Sequence, residues 1–481
     1  MRNLTLLTDF YELTMMYGYF LQGKTEEVAT FDLFFRPYDE SNFCIAAGLE
    51  QAIEYVENLR FSDEDIEYLR GTKAFNEAFL AFLADFRFTG SIRAVPEGTV
   101  VFPYEPLMII TAPICQAQLM EAALLNIINF QTLIATKARR ITHAAGNAGV
   151  LEFGLRRAQA PDASIYGARA AVIGGCTSTS NVLCCQMFGM PPKGTHAHSW
   201  VMSFPTEYDA FMAYAKTYPD GCLLLVDTYD TLHSGVPNAI KVFDYLKANG
   251  HKPLGIRLDS GDLAYLSKEA RKLLDAAGHS DCQIFASSDI DEYVLMSLKE
   301  QGAKIDTYGV GTKMITSHNT PSLGGVYKLC NLRVNGVDTP KMKISDNPVK
   351  MTNPGVKTVY RLFGRGTDKA IADLICLQGE QIDESKPLTI THPVERYKSK
   401  TVTDFYAKEL YIDVFVDGKK VYKNKSVYEL QQDCKTGLEG FWDEYKRLTQ
   451  PHQYKVDLSD KLYELKQRLI MEEKKDVSDG I

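Results

Sequence analysis

Cys222-Leu223-Leu224-Leu225-Val226-Asp227, Leu254-Gly255-Ile256-Arg257-Leu258-Asp259 and Ile284-Phe285-Ala286-Ser287-Ser288-Asp289 are three short apolar runs that each end on a carboxylate. The three acids follow one another at intervals of 32 and 30 residues. Between and after them, apolar residues at helical spacing predict helices over 238–249, 263–277 and 292–301, closed by Gly250, Gly278 and Gly302. A strand, a polar loop and a helix repeated in this way form the βαβ unit of a parallel sheet, whose strands are buried on both faces and therefore read as unbroken apolar runs. Val150-Leu151-Glu152-Phe153, Ala170-Ala171-Val172-Ile173 and the approach to Gly194 are expected to extend the series backward. The polar residues at strand ends then share one rim, where a barrel of this kind carries its active site.

Outside that repeat the character changes. Residues 28–36, 86–112, 326–376 and 409–422 hold strand-like runs broken by Pro and Gly, with a hairpin signal at Asp417-Gly418. The expected architecture is α/β: an irregular (β/α) barrel over 131–325, a flanking β-containing α+β domain over 1–130 joined by parts of 326–422, and a mostly helical C-terminal segment over 380–481. A long helix over 116–145 is expected to link the first two, and a strand over 303–306 to lead into Tyr308-Gly309-Val310-Gly311-Thr312-Lys313.

A chain of 481 residues, 45% hydrophobic, exceeds the size at which one core stops growing, so two or three packed units are expected. The net charge of −8 and the absence of long Lys/Arg blocks speak against nucleic acid as a partner. The first residues, Met1 to Asp9, meet charge before any apolar run of signal-peptide length, and no segment reaches ~18 uninterrupted apolar residues. No membrane partner and a cytoplasmic location are expected. The ten cysteines show no CxxC pair and read as buried, reduced thiols.

Four local patterns compete for the chemistry. Gly18-Tyr19-Phe20-Leu21-Gln22-Gly23-Lys24-Thr25 fits a phosphate-loop pattern, but a helix is expected before it and a strand after it, the reverse of what such a loop needs. His196-Ala197-His198 could ligate a metal, as in metal-dependent hydrolases, yet the later strand ends supply acids and no histidine; the plain reading of His196 is a packed or surface side chain. Arg156, Arg157 and Arg257 lie beside carboxylates where strands end. Each could be a structural ion pair, but three arginines near one rim favour an anion site. The glycines of Tyr308-Gly309-Val310-Gly311-Thr312 allow backbone N–H groups to approach an anion.

Thr8-Asp9-Phe10-Tyr11, Glu152-Phe153-Gly154-Leu155-Arg156-Arg157, Gly194-Thr195-x-Ala197-His198, Arg257-Leu258-Asp259-Ser260-Gly261-Asp262, Gly309-Val310-Gly311-Thr312 and the run from Ser322 to Leu329 occur in the order in which they resemble nicotinate phosphoribosyltransferases. The resemblance spans residue 8 to about 330 and implies an irregular barrel of the type II phosphoribosyltransferase kind in a homodimer. It implies the joining of nicotinate to 5-phosphoribosyl 1-pyrophosphate, giving nicotinate mononucleotide and pyrophosphate, in the first step of NAD salvage from nicotinate. ATP would be a co-substrate, hydrolysed through a phosphohistidine, and Mg²⁺ would accompany the phosphates; no metal held by protein ligands alone is implied.

By the same resemblance His198 is the phosphorylated residue, Tyr11, Thr195, Arg257 and Phe153 bind nicotinate, and Thr312, Gly311 and Arg156 bind phosphoribosyl pyrophosphate. The residue types suit this chemistry on their own terms. Displacement at C1 of ribose is oxocarbenium-like, and Asp259 is the candidate carboxylate to stabilise it. Ser178 stands about where nicotinamide-using relatives have an acid, in keeping with nicotinate. Two other classes remain, a metal-dependent hydrolase using His196 and His198, and a catalytically silent metabolite-binding barrel.

Overall fold

The structure is a computed structural model that describes residues 3–37, 42–345, 347, 350–393, 395 and 397–479; Met1, Arg2 and the side chains at the end of the C-terminal tail read above lie outside the described residues. Contacts divide the chain into one unit of residues 1–133, 322–425 and 432–481 and a second of 134–321 and 426–431.

The second unit holds six strands: β1 (Gly149–Glu152), β2 (Ser178–Thr179), β3 (Leu223–Leu225), β4 (Gly255–Leu258), β5 (Gln283–Ser288) and β6 (Thr307–Val310). They pair in the order β2-β1-β6-β5-β4-β3, and every pairing is parallel. That is the order of a closed βα ring opened at one place, between β2 and β3. Helices Val236–Ala248, Leu263–Ala276 and Glu292–Glu300 follow β3, β4 and β5, with Asp262 and Asp291 capping the last two through their side chains. Leu224, Leu225, Ile256, Leu258, Ile284 and Val310 are fully buried, as a sheet covered on both faces requires.

Residues 190–197 run across the opening in the ring. Lys193 donates its backbone N–H to the Thr179 carbonyl (3.0 Å) on β2, and the Leu225 N–H on β3 donates to His196 Nε2 (3.2 Å). The strand expected before Gly194 is absent because Pro191 and Pro192 have no N–H to give to a ladder.

Two further strand expectations are corrected. Ala170-Ala171-Val172-Ile173 ends the helix Pro161–Ile173, whose residues from Gly167 onward are all buried. An apolar run buried on every side has no periodicity to separate helix from strand, and Pro161 at the first helical turn was the available signal. Residues 303–306 are an irregular link after the turn at Gly302 (φ 73°), and the strand begins at Thr307, so Gly309 lies inside β6.

The first unit contains a seven-stranded sheet in which every neighbouring pair is antiparallel and Val28–Phe35 lies between Gly325–Val334 and Met108–Pro113. A six-stranded sheet built around Lys357–Gly364 and Ala370–Leu377 accompanies it. Asp32, mid-strand and buried, pairs with buried Lys357 at 2.8 Å. The expected hairpin forms, with Asp417 and Gly418 at φ 48° and 76° between Ile412–Val416 and Lys419–Lys420.

Residues 380–481 are not mostly helical. Strands Leu388–Thr391, Ser399–Val402, Phe405–Glu409, Ile412–Val416, Lys419–Lys420 and Val456–Leu458 accompany helices Val427–Glu439, Asp443–Lys446 and Asp460–Asp479. Several of these strands are exposed and polar, so their sequences lack the apolar alternation that marks a strand. The helix expected over 116–145 is two, Ile114–Leu119 and Glu121–Ala145. The Glu12 carboxylate accepts the Ala122 N–H (3.0 Å) at the start of the second, supplying a cap from another part of the chain.

Candidate active site

Parallel strands put all their C-terminal ends on one rim. Arg257, next to last in β4, is fixed there by three different bonds. Its Nε donates to Ser287 Oγ (2.9 Å), Nη1 to Thr195 Oγ1 (2.8 Å) and Nη2 to Asp259 Oδ1 (3.1 Å). One hydrogen on each terminal nitrogen is left for a ligand.

Asp259 Oδ1 also accepts the Ser287 hydroxyl, and Oδ2 stands 3.6 Å from His198 Nε2. Burial alone would raise the Asp259 carboxyl, but Ser287, Arg257 and His198 outweigh it and hold the group below the usual carboxylate range. It is an anion at neutral pH.

His198 opens the short helix His198–Met202. Its Nδ1 lies 3.1 Å from Thr228 Oγ1, and its Nε2 faces Asp259 Oδ2 and, at 4.0 Å, Asp227 Oδ1. Asp227 is itself anchored: Oδ2 accepts the Asp259 N–H and the Ser260 hydroxyl, both at 2.8 Å, while Oδ1 is buried and makes no hydrogen bond among the described residues. His196 points elsewhere, its Nε2 taken by the Leu225 N–H. Among the described residues no group of three or more His, Cys, Asp or Glu could hold a metal ion, and the two imidazoles have separate partners.

Glu152 does not pair with the neighbouring arginines. It is fully buried, accepts the Thr179 hydroxyl (2.6 Å) at Oε2 and the Gly154 N–H at Oε1, and so ties β1 to β2. Burial pushes its carboxyl up. Arg156 and Arg157, in the 3-10 turn Leu155–Arg157, are exposed and make no ion pair with a carboxylate among the described residues.

The Phe153 ring lies 6.0 Å from the Arg257 guanidinium. A Cβ on Gly309 would stand 2.4 Å from Phe153 Cδ2, so this glycine serves a close approach of the ring. Gly311 and Thr312 follow β6 directly, and the Thr312 hydroxyl makes no hydrogen bond among the described residues. Ser178 is buried and donates to the Pro191 carbonyl (2.6 Å). Tyr11 belongs to the first unit, on the helix Phe10–Leu21, with its ring 46% exposed. Burial and then Glu121, Glu12 and Asp9 push its hydroxyl up to about 12, so it remains a donor.

The rim thus gathers Phe153, Thr195, His198, Arg257 and Asp259. Asp227, Thr228 and Ser287 join them without having been given roles from the sequence. Their signal was available, since each stands within three residues of a strand end on the rim where the active site was expected.

A parallel ring of this order with a fixed arginine, a carboxylate and a histidine on its rim, accompanied by a separate β-rich unit, is a type II phosphoribosyltransferase fold. Three family models match in succession: the nicotinate phosphoribosyltransferase (NAPRTase) N-terminal domain over residues 6–129, the NAPRTase family over 149–375, and the NAPRTase C-terminal domain over 356–466. The nicotinate phosphoribosyltransferase of Bacillus subtilis (strain 168) is 48% identical over 483 residues, covering 100% of this chain and 98% of the relative. The crystal structure of human nicotinic acid phosphoribosyltransferase superposes with a TM-score of 0.85 at 31% identity, covering 96% of this chain and 100% of that one. A nicotinate-nucleotide pyrophosphorylase from Pyrococcus furiosus, at 21% identity and a TM-score of 0.70 over 91% of this chain and 96% of its own, shares the fold. The chain belongs to the nicotinate phosphoribosyltransferase family, whose members are phosphoribosyl-transfer enzymes of NAD biosynthesis.

Proposed function

We propose that the chain joins nicotinate to 5-phosphoribosyl 1-pyrophosphate in the first step of NAD salvage from nicotinate, and couples the reaction to ATP hydrolysis through phosphorylated His198. The observation that carries this reading is the Arg257 guanidinium, fixed by Ser287, Thr195 and Asp259 with two N–H groups left over. Those two donors suit a carboxylate, which accepts both in charge-assisted bonds; an amide facing them would leave one unpaired, at a cost of about 1–3 kcal/mol. The pyridine ring then lies against Phe153, with Thr195 beside its carboxylate. Ser178 brings no competing acid.

The ring nitrogen attacks C1 of the ribose as the bond to pyrophosphate breaks. Positive charge develops on the sugar, and the Asp259 anion stabilises it. Arg156, with Arg157 beside it, and the backbone and hydroxyl of Gly311 and Thr312 bind the phosphates. Mg²⁺ bound with those phosphates would supply charge neutralisation for the departing pyrophosphate. Such an ion takes only one or two carboxylates from a protein, and Asp227 Oδ1 and Asp259 Oδ2, the two acid oxygens that face His198 Nε2, would be the ones to hold it.

At His198 the two carboxylates facing Nε2 hold a proton there and leave the Nδ1 lone pair, beside the Thr228 hydroxyl, to attack the γ-phosphorus of ATP. ADP leaves; water later breaks the P–N bond. A phosphoryl group on Nε2 would instead meet two anions. The active form is a cytoplasmic homodimer, supported by an apolar stripe along Phe10–Leu21 in which Phe10, Tyr11, Met15 and Leu21 are 58%, 46%, 38% and 56% exposed.

The experiment is His198→Ala assayed for ATP hydrolysis and for nicotinate turnover. Loss of ATP hydrolysis together with loss of the ATP stimulation of turnover is expected. Stimulation that survives the loss of hydrolysis overturns the coupling.

A further inference from the structure

The opening between β2 and β3 is closed by a side chain. Leu225 is 0% exposed and its N–H lies on the free edge of β3, because the other edge pairs with β4. A buried N–H without an acceptor is strongly disfavoured, and the segment that crosses the opening contains Pro191 and Pro192, which cannot run as a ladder strand. The acceptor is the imidazole of His196, at 3.2 Å.

We propose that His196, as the neutral imidazole with its proton on Nδ1, is a positioning residue: it closes the strand ring at Leu225 and thereby sets Thr195 and His198 on the rim. The inference deepens the reaction described above and rests on it.

Acceptance at Nε2 requires the proton to be on Nδ1, which lies 3.4 Å from the Ala197 carbonyl. The ring packs against Tyr214 and Phe211, with centroids 4.7 and 6.3 Å away. Burial lowers the imidazole to about 4, and Arg257 and His198 push in the same direction against the Ala197 bond. The neutral form therefore holds throughout the physiological range. Both neighbours in the chain depend on this anchor. Thr195 Oγ1 donates to the His196 carbonyl (3.1 Å) while accepting Arg257 Nη1 (2.8 Å), and His198 begins its helix two residues on. A buried aromatic filler would pack in the same space without accepting the Leu225 N–H.

Glutamine and asparagine separate the two roles, since the glutamine amide oxygen reaches about as far as Nε2 and the asparagine oxygen only as far as Nδ1. His196→Gln, His196→Asn and His196→Leu are compared for kcat and KM of nicotinate turnover, for ATP-dependent phosphorylation of His198, and for hydrogen exchange at Leu225. Asn and Leu are expected to lower kcat and phosphorylation together, by about tenfold or more, and to speed Leu225 exchange; Gln is expected to stay within about threefold of the parent with Leu225 protected.

A Leu variant that matches the parent in kcat and exchange overturns the proposal, as does a Gln variant as impaired as Leu. If Asn and Leu fail to fold, the Gln comparison still decides. A parent protein that releases no pyrophosphate from nicotinate refutes the reaction instead, and Leu225 exchange in the variants still tests the closure.

Discussion

Arg257 Nη1 and Thr195 Oγ1 are 2.8 Å apart although 62 residues separate them in sequence, so the segment that closes the ring and strand β4 meet in one hydrogen bond. That bond makes Thr195 part of the arginine's support, beside the role proposed for it at the nicotinate carboxylate.

Arg257→Ala is expected to cost about 2–4 kcal/mol in kcat/KM for nicotinate, roughly 30- to 1,000-fold, mostly in KM. Arg257→Lys is expected not to rescue it, because an ammonium cannot hold Ser287, Thr195 and Asp259 at once and still present two further donors. Steady-state kinetics check both; a lysine variant within a few-fold of the parent contradicts this role for the fork.

Gly309→Ala drives a methyl to 2.4 Å from Phe153 Cδ2. The ring must move, at about 1–3 kcal/mol of stability, and nicotinate KM rises with it. The double variant Gly309→Ala, Phe153→Leu is expected to recover the stability but not the KM, as thermal unfolding and kinetics will show.

Glu12 gives a pH dependence whose sign is fixed. Burial, reinforced by Glu121 and Asp9, pushes its carboxyl from 4.5 up to about 7 against the bonds from Thr8 and the Ala122 N–H. The folded chain therefore holds this proton more tightly than the unfolded one. The stabilisation is full below about 4.5 and is lost as pH rises through 7. Glu12→Gln keeps an acceptor for Ala122, so its melting temperature is expected to gain on the parent between pH 5 and 8; parallel curves contradict the assignment.

The parallel ring was legible because buried strands leave apolar runs and each ended on a carboxylate at a near-constant interval. The opening in it was not. Pro191 and Pro192 were in view, but only the fold brings Leu225 to His196, so His196 read as a bystander. Ala170 to Ile173 misled because complete burial erases periodicity. Asp227 and Ser287 were visible as strand ends, yet their roles arise from contacts with His198 and Arg257 that no sequence spacing encodes. His198 and Arg257 stood out from the resemblance and Asp259 from the chemistry of the displacement, and the fold brings the three together on one rim.

Pyrophosphate release from 5-phosphoribosyl 1-pyrophosphate, measured with nicotinate and with nicotinamide, each with and without ATP, tests the central claim most directly. Release with nicotinate, stimulated by ATP and far weaker with nicotinamide, is the predicted result. Equal release with the two bases, or release with neither, contradicts it.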